Sequence, residues 1–180
     1  MRISRIPLLF AAAISTAGLA ALAGQAISAP DKYTVSVPNG LGFAEFRGYE
    51  DWQTVGVSET DETIEVILAN PVTVEAYRAG TPGNGKPFPD GAKMAKIHWK
   101  AVKSADAPSP TVVPGDLHDI DFMVRDSKRF ADTGNWGYAQ FDFETGSGAF
   151  APNGNGTDCG YACHTIVATK DYVFTGYPKR

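Results

Sequence analysis

The sequence predicts an α+β fold, an antiparallel β-sheet with a few packed helices, and three stretches carry that expectation. Thr63 to Ala69 (TIEVILA) is rich in β-branched residues, the composition of a strand. Trp136 to Phe143 (WGYAQFDF) alternates aromatic with small or polar side chains, the period of a strand with one buried face. Pro71 to Ala79 reads as a helix, with Asn70 as its N-cap, Pro71 at its first position and Gly80 ending it.

The other elements follow in chain order. Leu41 to Phe46 and Tyr49 to Val57 carry aromatic and small apolar residues broken by Gly, with a short helix expected around Glu50, Asp51 and Trp52. The stretch 81–91 (TPGNGKPFPDG) is a turn-rich loop, and a strand follows over 92–102. Three prolines mark 104–115 as a surface loop. Leu117 to Val124 alternates as a strand, and Asp126 to Ala131 reads as a short helix. Glu144 ends the aromatic strand, and the Gly-rich stretch 146–156 loosens the chain before its two cysteines.

Arg2 and Arg5, an apolar run over 6–23 and small residues around 26–29 form the pattern of a cleaved secretory signal, assigned to residues 1–28. The remaining residues, 29–180, suit one domain with a single core. The net charge of -4 argues against nucleic acid as a partner. Export to the periplasm places the cysteines where a disulfide could form.

The chemistry concentrates at Cys159-Gly160-Tyr161-Ala162-Cys163-His164. Covalent haem attachment needs two thiols to add to the vinyl groups and a His directly after the second, whose imidazole reaches the iron. The usual spacing has two residues between the thiols; here there are three, so the extra residue is expected to loop out, or Cys159 to stay unbonded. Two other readings stand beside haem. A Cys159–Cys163 disulfide would staple a β-rich domain that lacks a cofactor, although so small a ring gains little loop entropy. A zinc site would have to recruit His98 or His118.

The run from Cys163 through Asp171, Tyr172 and Val173 to Thr175 resembles the C-terminal signature of the cytochrome P-460 family. Arg125 to Ala131 followed by Gly134-Asn135-Trp136 is similar to a second family motif. So are Pro89-Asp90-Gly91 opening a strand that carries Lys96, and Tyr49 to Trp52 followed by Val55-Gly56. This resemblance implies a haem domain over 29–180, often a homodimer, with covalent haem c near the C-terminus. Cys159 and Cys163 would carry the haem, and His164 would be the proximal iron ligand beneath an open distal side. It further implies that Lys96 is the lysine which hydroxylamine-oxidising members cross-link to a haem meso carbon.

Active members of the family also carry a distal carboxylate that accepts protons. The stretch from Ala151 to Thr157 holds no acid, so Asp121 is the expected substitute, with Asp158 behind it. The enzyme reading is oxidation of hydroxylamine to nitrous oxide through nitric oxide-level intermediates, with electrons passing to a periplasmic acceptor. The alternative is a cytochrome c′-beta-like protein that binds nitric oxide or carbon monoxide at an iron crowded by Phe43, Phe46, Phe88 or Phe122. Pure electron transfer would need a sixth ligand, for which Met94 and Met123 qualify only if they face the iron.

Overall fold

A computed structural model describes residues 30–38, 40–154 and 156–180; the expected signal in 1–28 lies outside them. Among the described residues no helix is long and apolar enough to cross a membrane. Six strands form one antiparallel sheet in chain order: β1 (Gln53–Glu59), β2 (Thr63–Ala69), β3 (Lys93–Lys103), β4 (Val112–Arg125), β5 (Trp136–Glu144) and β6 (Ala149–Asn153). Helix α1 (Pro71–Arg78) connects β2 to β3, and α2 (Thr157–His164) follows β6. The α+β antiparallel expectation is met.

Helix α1 starts where the sequence says it should. Asn70 Oδ1 accepts from the Thr73 amide at 3.1 Å and the Thr73 hydroxyl at 2.7 Å, and Gly80 takes a positive φ of 94° after the last turn.

Three expectations fail for identifiable reasons. The strand expected over 117–124 begins five residues earlier, through Pro114 and Gly115; β5 pairs with β4 only from Asp119 onward, so Pro114 withholds no amide from a second neighbour. The loosened stretch 146–156 contains β6, an edge strand in which Pro152 is tolerated for the same reason. The helix expected over 126–131 is a turn. Asp126 Oδ1 accepts from the Lys128 and Arg129 amides, both at 3.1 Å, and this local bonding replaces a helical ladder; a 3-10 turn follows at Ala131–Thr133. The short helix expected near Glu50 is present as a 3-10 turn, Tyr49–Asp51, and β1 follows it.

Register sorts the side chains onto two faces. On one face Leu68, Ala95, Phe122 and Ala139 lie in cross-strand pairs and pack against Leu41, Phe43, Phe46 and Tyr49 from the N-terminal segment. Phe46 stacks on Phe122 with centroids 4.2 Å apart. On the other face a row runs through Ile67, Lys96, Asp121, Gln140 and Asn153, flanked by a Met94, Met123 and Tyr138 row and a Glu65, His98 and Asp119 row. Helix α1, α2 and the segment after Tyr172 cover only part of this second face, and the uncovered part is a cavity.

Candidate functional site

Helix α2 is seated on β5 by a glycine. A Cβ on Gly160 would stand 2.3 Å from Tyr138 Cβ, so only a bare Cα lets the helix approach this closely. Thr157, buried at the helix start, lies 3.3 Å from the Tyr138 amide. Cys159 and Cys163 then fall one turn apart on one side of α2, and both line the cavity. In the helix the three-residue spacing amounts to one turn, and the two cysteines are not joined to each other.

The residues after α2 orient His164. Asp171 and Tyr172 both adopt left-handed backbone (φ 52° and 62°), a conformation that costs non-glycine residues about 1 kcal/mol or more. Asp171 holds it in place: Oδ2 accepts from the Phe88 amide at 2.7 Å, and Oδ1 pairs with Arg125 at 3.1 Å in a largely buried ion pair. The Tyr172 ring closes over Gly134, where any Cβ would lie 2.3 Å from it. The turn thereby presents the Tyr172 carbonyl to His164 Nδ1 at 2.6 Å. Nδ1 donates its proton there, leaving Nε2 as the nitrogen available to a metal. Burial, with a smaller contribution from the Lys96 charge, lowers the His164 pKa despite that hydrogen bond, which favours the neutral ring that metal binding requires.

The cavity has a volume of about 430 Å³, within the range of cofactor pockets. Ile67, Met94, Met123, Val173 and Phe174 make it mainly apolar, and Lys96, Asp121, Gln140 and Asn153 add a polar stripe along the sheet. Lys96 Nζ pairs with Glu65 Oε2 at 2.7 Å. Asp121 lines the cavity, and burial raises its carboxyl pKa to about 6, against the opposing pull of the His98 charge. His98 is held between acids: Nδ1 lies 2.5 Å from Asp119 Oδ1, and Nε2 lies 3.7 Å from Asp121 Oδ2 and 4.0 Å from Glu65 Oε1.

The cavity thus brings together Lys96, Asp121, Cys159, Cys163 and His164 from three separate parts of the chain. Asp158 is exposed in the first turn of α2 and is not among the lining residues. The phenylalanines considered for crowding an iron site are committed elsewhere. Phe43 and Phe46 lie on the far face, Phe122 reaches the cavity wall only while stacked on Phe46, and Phe88 packs between Tyr77 and Trp136. Met94 and Met123, cross-strand partners, do line the cavity, and the Tyr77 hydroxyl lies 3.9 Å from Met94 Sδ. Sequence reasoning missed Glu65, whose signal was a single acid inside an apolar strand, and the Tyr172 carbonyl, which has no side-chain signature at all.

Haem fits this donor set. An imidazole nitrogen and two thiols converge on one side of an apolar cavity of suitable volume, and the second imidazole nitrogen is already satisfied by backbone. No curated protein matches the chain. The family model described as Cytochrome P460 matches residues 46–175, from the aromatic stack behind the sheet to the last segment of the cavity wall. This chain accordingly belongs to the cytochrome P460 family, a family of haem proteins related to hydroxylamine-oxidising cytochromes.

Proposed function

We propose that the protein is an exported, periplasmic c-type cytochrome that oxidises hydroxylamine and passes the electrons to an external acceptor, working as a homodimer. The observation that carries this reading is the polar stripe: Lys96 and Asp121, cross-strand partners, line the same cavity as Cys159, Cys163 and His164. A pocket meant only to hold a diatomic gas would gain from apolar crowding there, whereas this cavity carries a polar stripe and Phe43, Phe46 and Phe88 are engaged elsewhere.

Bound haem supplies the electron-accepting iron. In this reading Cys159 and Cys163 would hold the cofactor covalently, His164 Nε2 would ligate its iron, and Lys96, held by Glu65 at the cavity wall, would be the residue placed for a further attachment. Oxidation of hydroxylamine to nitrous oxide releases two protons per hydroxylamine along with two electrons. Asp121 is suited to take those protons, because burial brings its carboxyl to about 6, within reach of a base working near neutral pH. Charge would otherwise build up at high cost in a largely apolar cavity.

The test is turnover of hydroxylamine by ferric holoprotein with an artificial electron acceptor, alongside Asp121→Ala. We expect turnover in the native protein and a loss of about 100-fold or more in the variant, with the haem spectrum retained. A six-coordinate spectrum indifferent to hydroxylamine would instead indicate an electron carrier with Met94 or Met123 on the iron.

A further inference from the structure

His98 and His118 are not used by the reading above, yet they join the cavity to the surface. From Asp121 at the cavity wall, Oδ2 lies 3.7 Å from His98 Nε2; His98 Nδ1 lies 2.5 Å from Asp119 Oδ1; and Asp119 Oδ2 lies 2.5 Å from His118 Nδ1. Asp119 is buried with its side chain 4% exposed, whereas the His118 side chain is 52% exposed. The path therefore begins in the cavity, crosses a buried imidazole and a buried carboxylate, and ends in solvent.

A backbone irregularity makes this path. Consecutive residues on a strand normally point to opposite faces, so His118 should lie across the sheet from Asp119. In β4, however, Asp119 pairs with His98 while Leu117 pairs with Trp99, which leaves His118 as the extra residue of a β-bulge. The bulge brings the His118 ring beside the Asp119 carboxylate, the re-aiming that bulges near functional sites commonly perform. Among the described residues, buried His98 Nε2 and Asp119 Oδ1 form no hydrogen bond in this geometry, so His98 lies close to the Asp119, Asp121 and Glu65 carboxylates and must turn its ring to engage them in succession.

We propose that His98, Asp119 and His118 form a proton relay that carries protons from Asp121 to solvent at the bulged part of β4. The inference rests on the proposed role of Asp121 as proton acceptor. Asp121 passes a proton to His98 Nε2, and the imidazolium releases one from Nδ1 to Asp119. Asp119 turns about its Cβ–Cγ bond and hands that proton to His118 in the tautomer whose Nδ1 is unprotonated; His118, then an imidazolium, loses its Nε2 proton to water and returns to that tautomer through solvent. One proton enters, one leaves and no electron moves; a half-turn of the His98 ring restores its starting tautomer.

The charged groups facing His98 support this chemistry. Asp119, Asp121 and Glu65 surround it, with Lys96 as the opposing cation tied to Glu65. His98 is raised from its usual pKa by Asp119 and Asp121 against the effect of burial. Asp119 is lowered by the neighbouring His98 and His118, again against burial, and so rests as the acceptor. Asp142, the cross-strand partner of Asp119 on β5, is engaged by Asn153 at 2.8 Å.

The test is a pH jump across about 6 on ferric holoprotein, following by stopped flow the haem absorbance change that accompanies Asp121 ionisation. His118→Gln keeps a hydrogen-bonding side chain beside Asp119 but cannot carry a proton at this pH. We expect an unchanged midpoint and a relaxation slowed roughly tenfold or more, with His98→Gln slower still. Equal relaxation in native protein and both variants overturns the relay. A second readout needs no haem and no turnover: the exchange of the His98 ring proton with solvent, by NMR of histidine-labelled protein. Slower exchange in His118→Gln supports the relay and unchanged exchange overturns it, even if the protein proves not to oxidise hydroxylamine.

Discussion

His164 Nδ1 lies 2.6 Å from the carbonyl oxygen of Tyr172, so the orientation of the candidate iron ligand is set by backbone eight residues further along the chain. That carbonyl is presented by two left-handed residues, and the turn is held by Asp171 bridging Arg125 and the Phe88 amide. Asp171→Asn preserves an acceptor for the amide but leaves the Arg125 charge buried without its partner. We expect a loss of roughly 3 kcal/mol in urea unfolding and a shifted or broadened haem band, because the imidazole loses its fixed direction.

Gly160→Ala tests the seating of α2. The added methyl would meet Tyr138 at 2.3 Å and push the helix, with both thiols, away from β5. The expected cost is about 1–3 kcal/mol, accompanied by a lower yield of haem-loaded protein from a host able to attach haem. An Ala variant with native stability and loading would mean that α2 does not need this close approach.

The pH dependence has a defined sign. Asp121 is raised from 3.8 to about 6 in the folded protein, so its contribution to stability is fully present below the unfolded value and is lost as pH rises through about 6. Asp121→Asn, which cannot ionise, should therefore melt at a higher temperature than the native protein above about 6, and the gap should close toward 4. Turnover runs the opposite way. It should rise with pH through about 6 in the native protein, as the carboxylate form becomes available, and should be low and flat in Asp121→Asn.

Lys96 is paired with Glu65 at 2.7 Å and lines the cavity. Tryptic peptides of the holoprotein should contain Lys96 joined to the haem peptide, and Lys96→Arg should remove that species while the haem stays on the cysteines. A free Lys96 in native protein would favour the gas-binding alternative.

Much of this arrangement was legible before folding. The alternation over 136–143, the β-branched run 63–69 and the Asn70-Pro71 helix start are local signals, and local signals survive into the fold. The spacing of Cys159 and Cys163 was also the spacing of one helical turn, although the glycines around it hid the helix. β6 and the first residues of β4 were obscured by proline, whose cost depends on whether a second strand needs its amide. The chain of Glu65, His98, Asp119, Asp121 and His118 was illegible for a different reason. Its members come from three strands, and their meeting depends on register and on one bulge, which no single stretch of sequence encodes.

The central claim is that Cys159 and Cys163 carry haem through covalent bonds while His164 holds its iron. Intact mass spectrometry of the protein, matured in a host that attaches haem c and then extracted with acid–acetone, tests it most directly. The expected result is a polypeptide heavier by one haem after extraction, with the added mass mapping to the peptide that contains Cys159 and Cys163. A polypeptide of unmodified mass, with all colour in the acetone phase or none present at the start, would contradict it.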